Sequence, residues 1–165
     1  MGENARKNDI IKDAYYLITK FNNDGRDITN LQVQKLMYFF EAYYMNVYNV
    51  DKVYDCSFCA WAFGPVAIPL YKKFKKFGND KIELTDEEIE EGNSICHESK
   101  NLLDIIYATF RDTPATRLVE FTHMPNSPWT EVWERNGKKV GYGDNTHIDK
   151  EKSKKWFREM FERHE

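Results

Sequence analysis

The sequence predicts a mainly α protein: a single compact helical domain of about six or seven helices with one small β element of two or three short strands. Three observations predict it. Apolar residues recur at helical spacing through most of the chain. Cap-forming residues, prolines and glycines punctuate those stretches where helices should start and stop. One stretch, Tyr54 to Phe63, loses the helical period and is rich in cysteine and aromatics, which favours extended backbone. The 165 residues suit one domain, 1–165, with 1–6 as a short flexible tail. No internal repeat, low-complexity tract or linker divides the chain.

The first helix should run from Lys7 to Asn23, with Ile10, Ile11, Ala14, Tyr15, Ile18 and Phe21 on one stripe and Gly25 as its stop. Thr29 opens the second. Gln32 stands three residues on, so the pair forms a capping box that satisfies amide donors at the helix start. This helix is apolar on nearly every side (Leu36, Met37, Phe40, Tyr44 and Val47 on one, Tyr38, Phe39 and Tyr43 on others), so it should be central. After the extended segment, Gly64-Pro65 reads as a turn. A short helix, Ala67 to Phe77, carries Pro69 in its first turn, where proline does little harm, and ends at Gly78. Lys81 to Leu84 is a second candidate strand, available to pair with the first.

A second capping box, Thr85 with Glu88, begins a long helical stretch to Arg111, bent or broken at Gly92-Asn93. Thr113-Pro114 restarts the chain, with threonine as cap and proline first in the helix. Ser127-Pro128 repeats the device, and Asn136-Gly137 stops that helix. Lys138 to Thr146 is a polar loop. Asp149 caps a last helix with the stripe Trp156, Phe157, Met160 and Phe161.

Net charge is −3, from 24 lysines and arginines against 27 aspartates and glutamates. That balance argues against a dedicated nucleic-acid binder, whose affinity comes largely from neutralising phosphates. The lysine clusters at 72, 73, 75 and 76 and at 150, 152, 154 and 155 read as solvated helix faces. No apolar run is long enough to span a bilayer, and the N-terminus lacks a signal-peptide core, so a cytoplasmic location is expected. The odd count of cysteines, Cys56, Cys59 and Cys96, suits a reducing compartment.

No catalytic set emerges, and no cofactor or metal is expected. Cys56 and Cys59 form a C-x-x-C pair, but the second pair that structural zinc needs is missing, so packing is the better reading. Gly141-Tyr142-Gly143 is too short to cradle a phosphate. His123 is the histidine that invites a catalytic reading, with Glu120 and Asp112 as the carboxylates on offer. A nucleophile motif is lacking, and a histidine bonded where two helices meet is favoured. A helix-turn-helix over Asp27 to Tyr44 fails because its second helix is crowded with core residues rather than base-readers.

Several stretches together resemble a known family. Leu31 to Phe39 resembles its LKLQKLLYF helix, and Phe58 to Val66 its FEAWxyGPV segment. Tyr71 to Gly78 resembles the helix that follows. Leu118 to His123 resembles a motif ending in Thr-His, and Ser127-Pro128-Trp129 the Pro-Trp after it. Order and spacing agree over nearly the whole chain. This is the Panacea domain family, also called SocA-like or GepA-like; Cys59 departs from the polar residue often found at that position.

The resemblance implies a non-enzymatic antitoxin of a toxin–antitoxin operon, often phage-borne, that neutralises a protein toxin encoded by a neighbouring gene through direct contact. Members are paired with unrelated toxins, including alarmone-synthetase-like translation inhibitors and membrane-active peptides. Some carry an added DNA-binding segment, for which this chain has no spare length. Alternatives are a proteolytic adaptor that delivers its partner to a protease, and a phage-encoded regulator of host gene expression. The motif residues Lys35, Tyr38, Trp61, Gly64, Pro65, Tyr71, His123 and Trp129 are the expected partner-binding or structural set. Trp61, Gly64 and Pro65 would fix the turn, Lys35 and Tyr38 would flank it, and His123 with Trp129 would lock the later helix junction and edge a shared groove. Trp129, Trp133, Tyr71, Phe74 and Tyr142 are candidate exposed anchors, since interfaces concentrate their energy in such residues.

Overall fold

Asp9 sets the first helix: its carboxylate accepts from the amides of Ile11 and Lys12, and α1 (Ile10–Asn23) follows. The structure, a computed structural model, describes residues 8–161. The expected tail at 1–6 and the Lys7 start of the first helix lie outside the described residues. The described chain forms eight α-helices and one two-stranded sheet. They are α1, α2 (Asn30–Tyr48), β1 (Phe58–Trp61), β2 (Gly64–Ala67), α3 (Ile68–Phe74), α4 (Asp86–Asn93), α5 (His97–Phe110), α6 (Ala115–Thr122), α7 (Pro128–Arg135) and α8 (Lys150–Phe161). The protein is therefore mainly α. The extra helix over the expected count comes from the break near Gly92, which separates α4 from α5.

The central helix is α2, capped by Thr29 and Gln32 in a complete capping box. Every residue from Val33 to Ala42 is buried, because α1, α3, α5, α6, α8 and the sheet surround it. Phe39 shows why the helix is apolar all round: its ring meets Phe110 of α5, Phe121 of α6 and Trp156, Phe157 and Phe161 of α8. Aromatic pairs in favourable geometry each add roughly 0.5–1.5 kcal/mol beyond burial of area. The second capping box also forms, at Thr85 and Glu88, and starts α4. At Gly92 a Cβ would lie 2.8 Å from the Tyr16 amide nitrogen, so glycine there lets α4 lie directly against α1.

The sheet differs from the expected one. β1 pairs antiparallel with β2, with Trp61 opposite Gly64 and Phe58 opposite Ala67, so Ala62 and Phe63 are the turn. Gly64 and Pro65 therefore begin a strand rather than form the turn. Lys81 to Leu84 does not pair with β1; Lys81 bridges Thr29, and the Ile82 amide donates to the Ile28 carbonyl at 2.9 Å. The cap before α6 is Pro114 without a side-chain bond, not Thr113. The short helix after the sheet ends at Phe74, and Lys75–Phe77 tightens into a 3-10 turn.

Polar side chains pin the periphery. Glu41 of α2 is buried and accepts from the amides of Val53 and Tyr54 and from Lys150 Nζ at 2.7 Å. Lys150 also donates to the Cys56 carbonyl, and the buried Lys154 donates to Asn49 Oδ1. These two lysines are thus structural rather than part of a solvated face. They are drawn inward because α8 must cover α2, and its near side carries acceptors for them.

Candidate functional site

Burial of α2 on all sides carries Lys35 inward with it, to zero exposure. Its ammonium group finds a single acceptor, the Pro65 carbonyl at 3.0 Å. The neighbouring Gln34 accepts from the Ala67 amide at 2.9 Å and donates to Asn30 Oδ1. Together Lys35 and Gln34 satisfy the outward-facing backbone groups of β2. Pro65 adds no unpaired N–H on that edge, which is where proline is tolerated in a sheet. Taking an ammonium out of water disfavours its charge, so burial lowers the Lys35 pKa from its usual 10.5 to about 7.

Gly64 is where α2, the sheet and α6 come closest. Its φ is +113°, and a Cβ there would lie 2.6 Å from Lys35 Cε and 2.9 Å from Thr122 Oγ1. Only glycine meets both demands, the left-handed backbone and the missing space.

A second chain of contacts starts where α6 ends. His123 caps α6 and its ring stacks on Trp129 of α7, with centroids 3.7 Å apart and planes 8° from parallel. Trp129 in turn stacks with Trp133 and donates its indole N–H to the Trp61 carbonyl at 2.7 Å. The Trp61 indole donates to the Gly141 carbonyl at 3.0 Å. His123 Nε2 is buried without a hydrogen-bond partner. Desolvation first, and then the charge of Lys35, hold the His123 pKa below its ordinary value. The carboxylates that the sequence offers as catalytic partners are engaged elsewhere: Glu120 with Arg117 and Asp112 with Arg26.

These two sets of contacts frame a cleft of about 410 Å³ between the tip of the sheet, α2 and α3. Trp61, Phe63, Val66, Tyr71 and Val140 supply its apolar walls, with the exposed Lys75 at its rim and Lys35 buried beneath it. Trp61 and Tyr71 meet edge to face at 4.9 Å, and Tyr142 packs edge-on to Trp61 from outside. Large apolar side chains stand in solvent here: Phe63 is 68%, Tyr142 65% and Val140 52% exposed. Scattered single apolar residues are ordinary on a surface, whereas a contiguous group beside a cleft marks a contact surface.

Of the residues singled out in the sequence, Lys35, Gly64, Pro65, Trp61, Tyr71, His123 and Trp129 come together in this region. Tyr38 does not. It lies at the open end of the sheet, its ring against Phe58 and Trp156 and its hydroxyl bonded to Ser153. One helical turn beyond Lys35, it cannot also reach the Ala62-Phe63 turn. Among the expected exposed anchors, Trp129 and Phe74 are core residues, while Tyr142 stands out in solvent. Phe63 and Val140 were not foreseen. The available signals were an aromatic in the residue before Gly64 and a lone apolar residue inside the polar 138–146 loop. The thiols of Cys56 and Cys59 are pushed up by burial, away from thiolate chemistry.

The arrangement defines a helical domain packed around α2, with a two-strand hairpin against that helix and an aromatic cleft at the hairpin's tip. The chain belongs to the antitoxin SocA-like, Panacea domain family, whose model matches residues 33–130. The match covers α2 through the start of α7, and so contains Lys35, the hairpin, His123 and Trp129. No curated protein and no solved structure matches the chain. Among the described residues, no helix is long and apolar enough to cross a membrane.

Proposed function

We propose that this domain is the antitoxin of a toxin–antitoxin pair and that it neutralises a protein toxin, encoded next to it, by direct contact. Membership of the antitoxin family supports the antitoxin role. The observation that carries the contact mechanism is the exposed group of Phe63, Val140 and Tyr142 beside the Trp61–Tyr71 cleft. Specific interfaces draw their energy from a few aromatic anchors set in pockets and bury roughly 1,200–2,000 Å² in total. Steric covering of a working surface needs no chemistry from the antitoxin, only a rigid shape, and the hairpin is tied to its neighbours by Lys35, Gln34 and Trp129.

Co-expression with the product of the adjacent gene tests the proposal. Growth arrest by that product alone, relieved by the wild-type domain and not by a folded Phe63→Asp, Tyr142→Ala variant, is the expected result. A neighbour that is harmless alone, or toxic whether or not the domain is present, removes the proposal. Measuring the partner's half-life in the same cells separates covering from delivery to a protease: covering leaves the half-life unshortened.

A further inference from the structure

The charge and shape of the aromatic cleft narrow what it receives. Among its lining residues none is acidic, and the two charged ones are both lysines. Lys75 stands exposed at the rim. Lys35 lies beneath the cleft without exposed surface, its ammonium group bonded to the Pro65 carbonyl. Lys138 and Lys139, which precede the exposed Val140, add positive charge on the same loop. The walls are aromatic and aliphatic, and the volume of about 410 Å³ falls in the range of clefts that take one compact organic group.

From these features we infer that the cleft is a recognition pocket for an aromatic side chain standing next to a carboxylate, presented by a segment of the partner protein. The aromatic group packs between Trp61, Phe63 and Tyr71, and the carboxylate accepts from Lys75, the exposed lysine at the rim. Charge-assisted bonds of this kind are about twice as strong as neutral ones, and more so where water is excluded. The inference rests on the proposed antitoxin–toxin contact for its occupant, but the pocket is testable without the toxin.

The test uses the whole domain and two small probes, 3-phenylpropionate and its neutral isostere 3-phenylpropionamide. The Trp61 indole N–H, bonded to Gly141 at the cleft's wall, gives a side-chain resonance that reports occupancy in ¹H–¹⁵N spectra. Saturable shifts of that resonance with the acid, at about tenfold higher affinity than with the amide, are the expected result. Lys75→Glu should abolish the preference, lowering affinity for the acid by about tenfold or more while leaving the amide unchanged. Equal affinity of acid and amide in the wild type, no shift of Trp61 with either probe, or an acid preference that survives Lys75→Glu overturns the inference. Neutralisation that persists in the co-expression assay alongside such a result leaves the toxin contact standing and removes only the pocket. Probe binding with no protection in cells does the reverse.

Discussion

Replacing Lys35 with methionine should change how the protein's stability depends on pH. In the folded state Lys35 has its pKa lowered to about 7 by burial, against 10.5 for the free side chain. Between those two values the unfolded chain holds a proton that the folded chain has released. Stability therefore rises as pH climbs from 7 toward 10.5, and the lysine's destabilising contribution is fully present below 7. Each pKa unit is worth about 1.4 kcal/mol, so moving from pH 6 to pH 9 should stabilise the wild type by about 2–3 kcal/mol relative to Lys35→Met. For a domain of this length that is a differential shift of roughly 5–10 °C in Tm. Methionine keeps the unbranched shape but leaves the Pro65 carbonyl without its donor, a cost of about 1–3 kcal/mol that does not vary with pH. Urea melts of both proteins at pH 6, 7, 8 and 9 make the comparison. Parallel pH profiles would show that Lys35 titrates alike in both states and refute the reasoning.

Asp13 should shape the acid side in the opposite sense. Burial raises its pKa from 3.8 to about 7, so the folded chain keeps a proton that the unfolded one loses, and stability falls as pH rises from 4 to 7. Relative to Asp13→Asn, which still accepts from the Tyr54 hydroxyl, the wild type should lose about 3 kcal/mol over that range in denaturant melts; an unchanged difference contradicts the assignment. Gly64→Ala should destabilise by about 2–5 kcal/mol, combining the backbone strain of φ +113° with overlap on Lys35 and Thr122. A loss below that of Gly137→Ala, where a Cβ would meet nothing within 4 Å, would show that the three elements are not tightly joined. Lys150→Ala leaves the buried Glu41 carboxylate with two amide donors and no cation. About 3–5 kcal/mol should be lost, as when one partner of a buried ion pair is removed, and Glu41→Gln added to it should recover part of that loss. Failure of the double variant to recover anything argues against an uncompensated charge as the cause.

Helices were legible where one residue's chemistry decides locally. The boxes at Thr29–Gln32 and Thr85–Glu88, and the Ser127 and Asp149 caps, form as read, because each bond closes within three residues. The hairpin was not, because pairing is a long-range choice. Gly64-Pro65 has the composition of a turn, yet the chain turns two residues earlier, at Ala62-Phe63, and uses glycine's freedom to begin the return strand. Lys81 to Leu84 looks like a strand and lies beside Thr29 instead. At the site, the family motif picked out residues that do converge, since glycine, proline and tryptophan at fixed spacing reflect a shared packing problem. Tyr38 strayed because helical periodicity sets it one turn past Lys35, facing Ser153 and Trp156 rather than the sheet's tip. Phe63 and Val140 were invisible because exposure of an apolar residue leaves no periodic trace.

Closure of the hairpin's backbone has one more implication. The Phe58 carbonyl is taken by the Ile148 amide, Cys59 bridges His147, and on the other side Lys35 and Gln34 occupy the groups of Pro65 and Ala67. These bonds occupy backbone groups that a foreign strand would need in order to pair with the hairpin. A partner docking here as proposed would be told apart mainly by side-chain shape and charge, so its identity could drift through a handful of surface positions while the scaffold beneath stayed fixed.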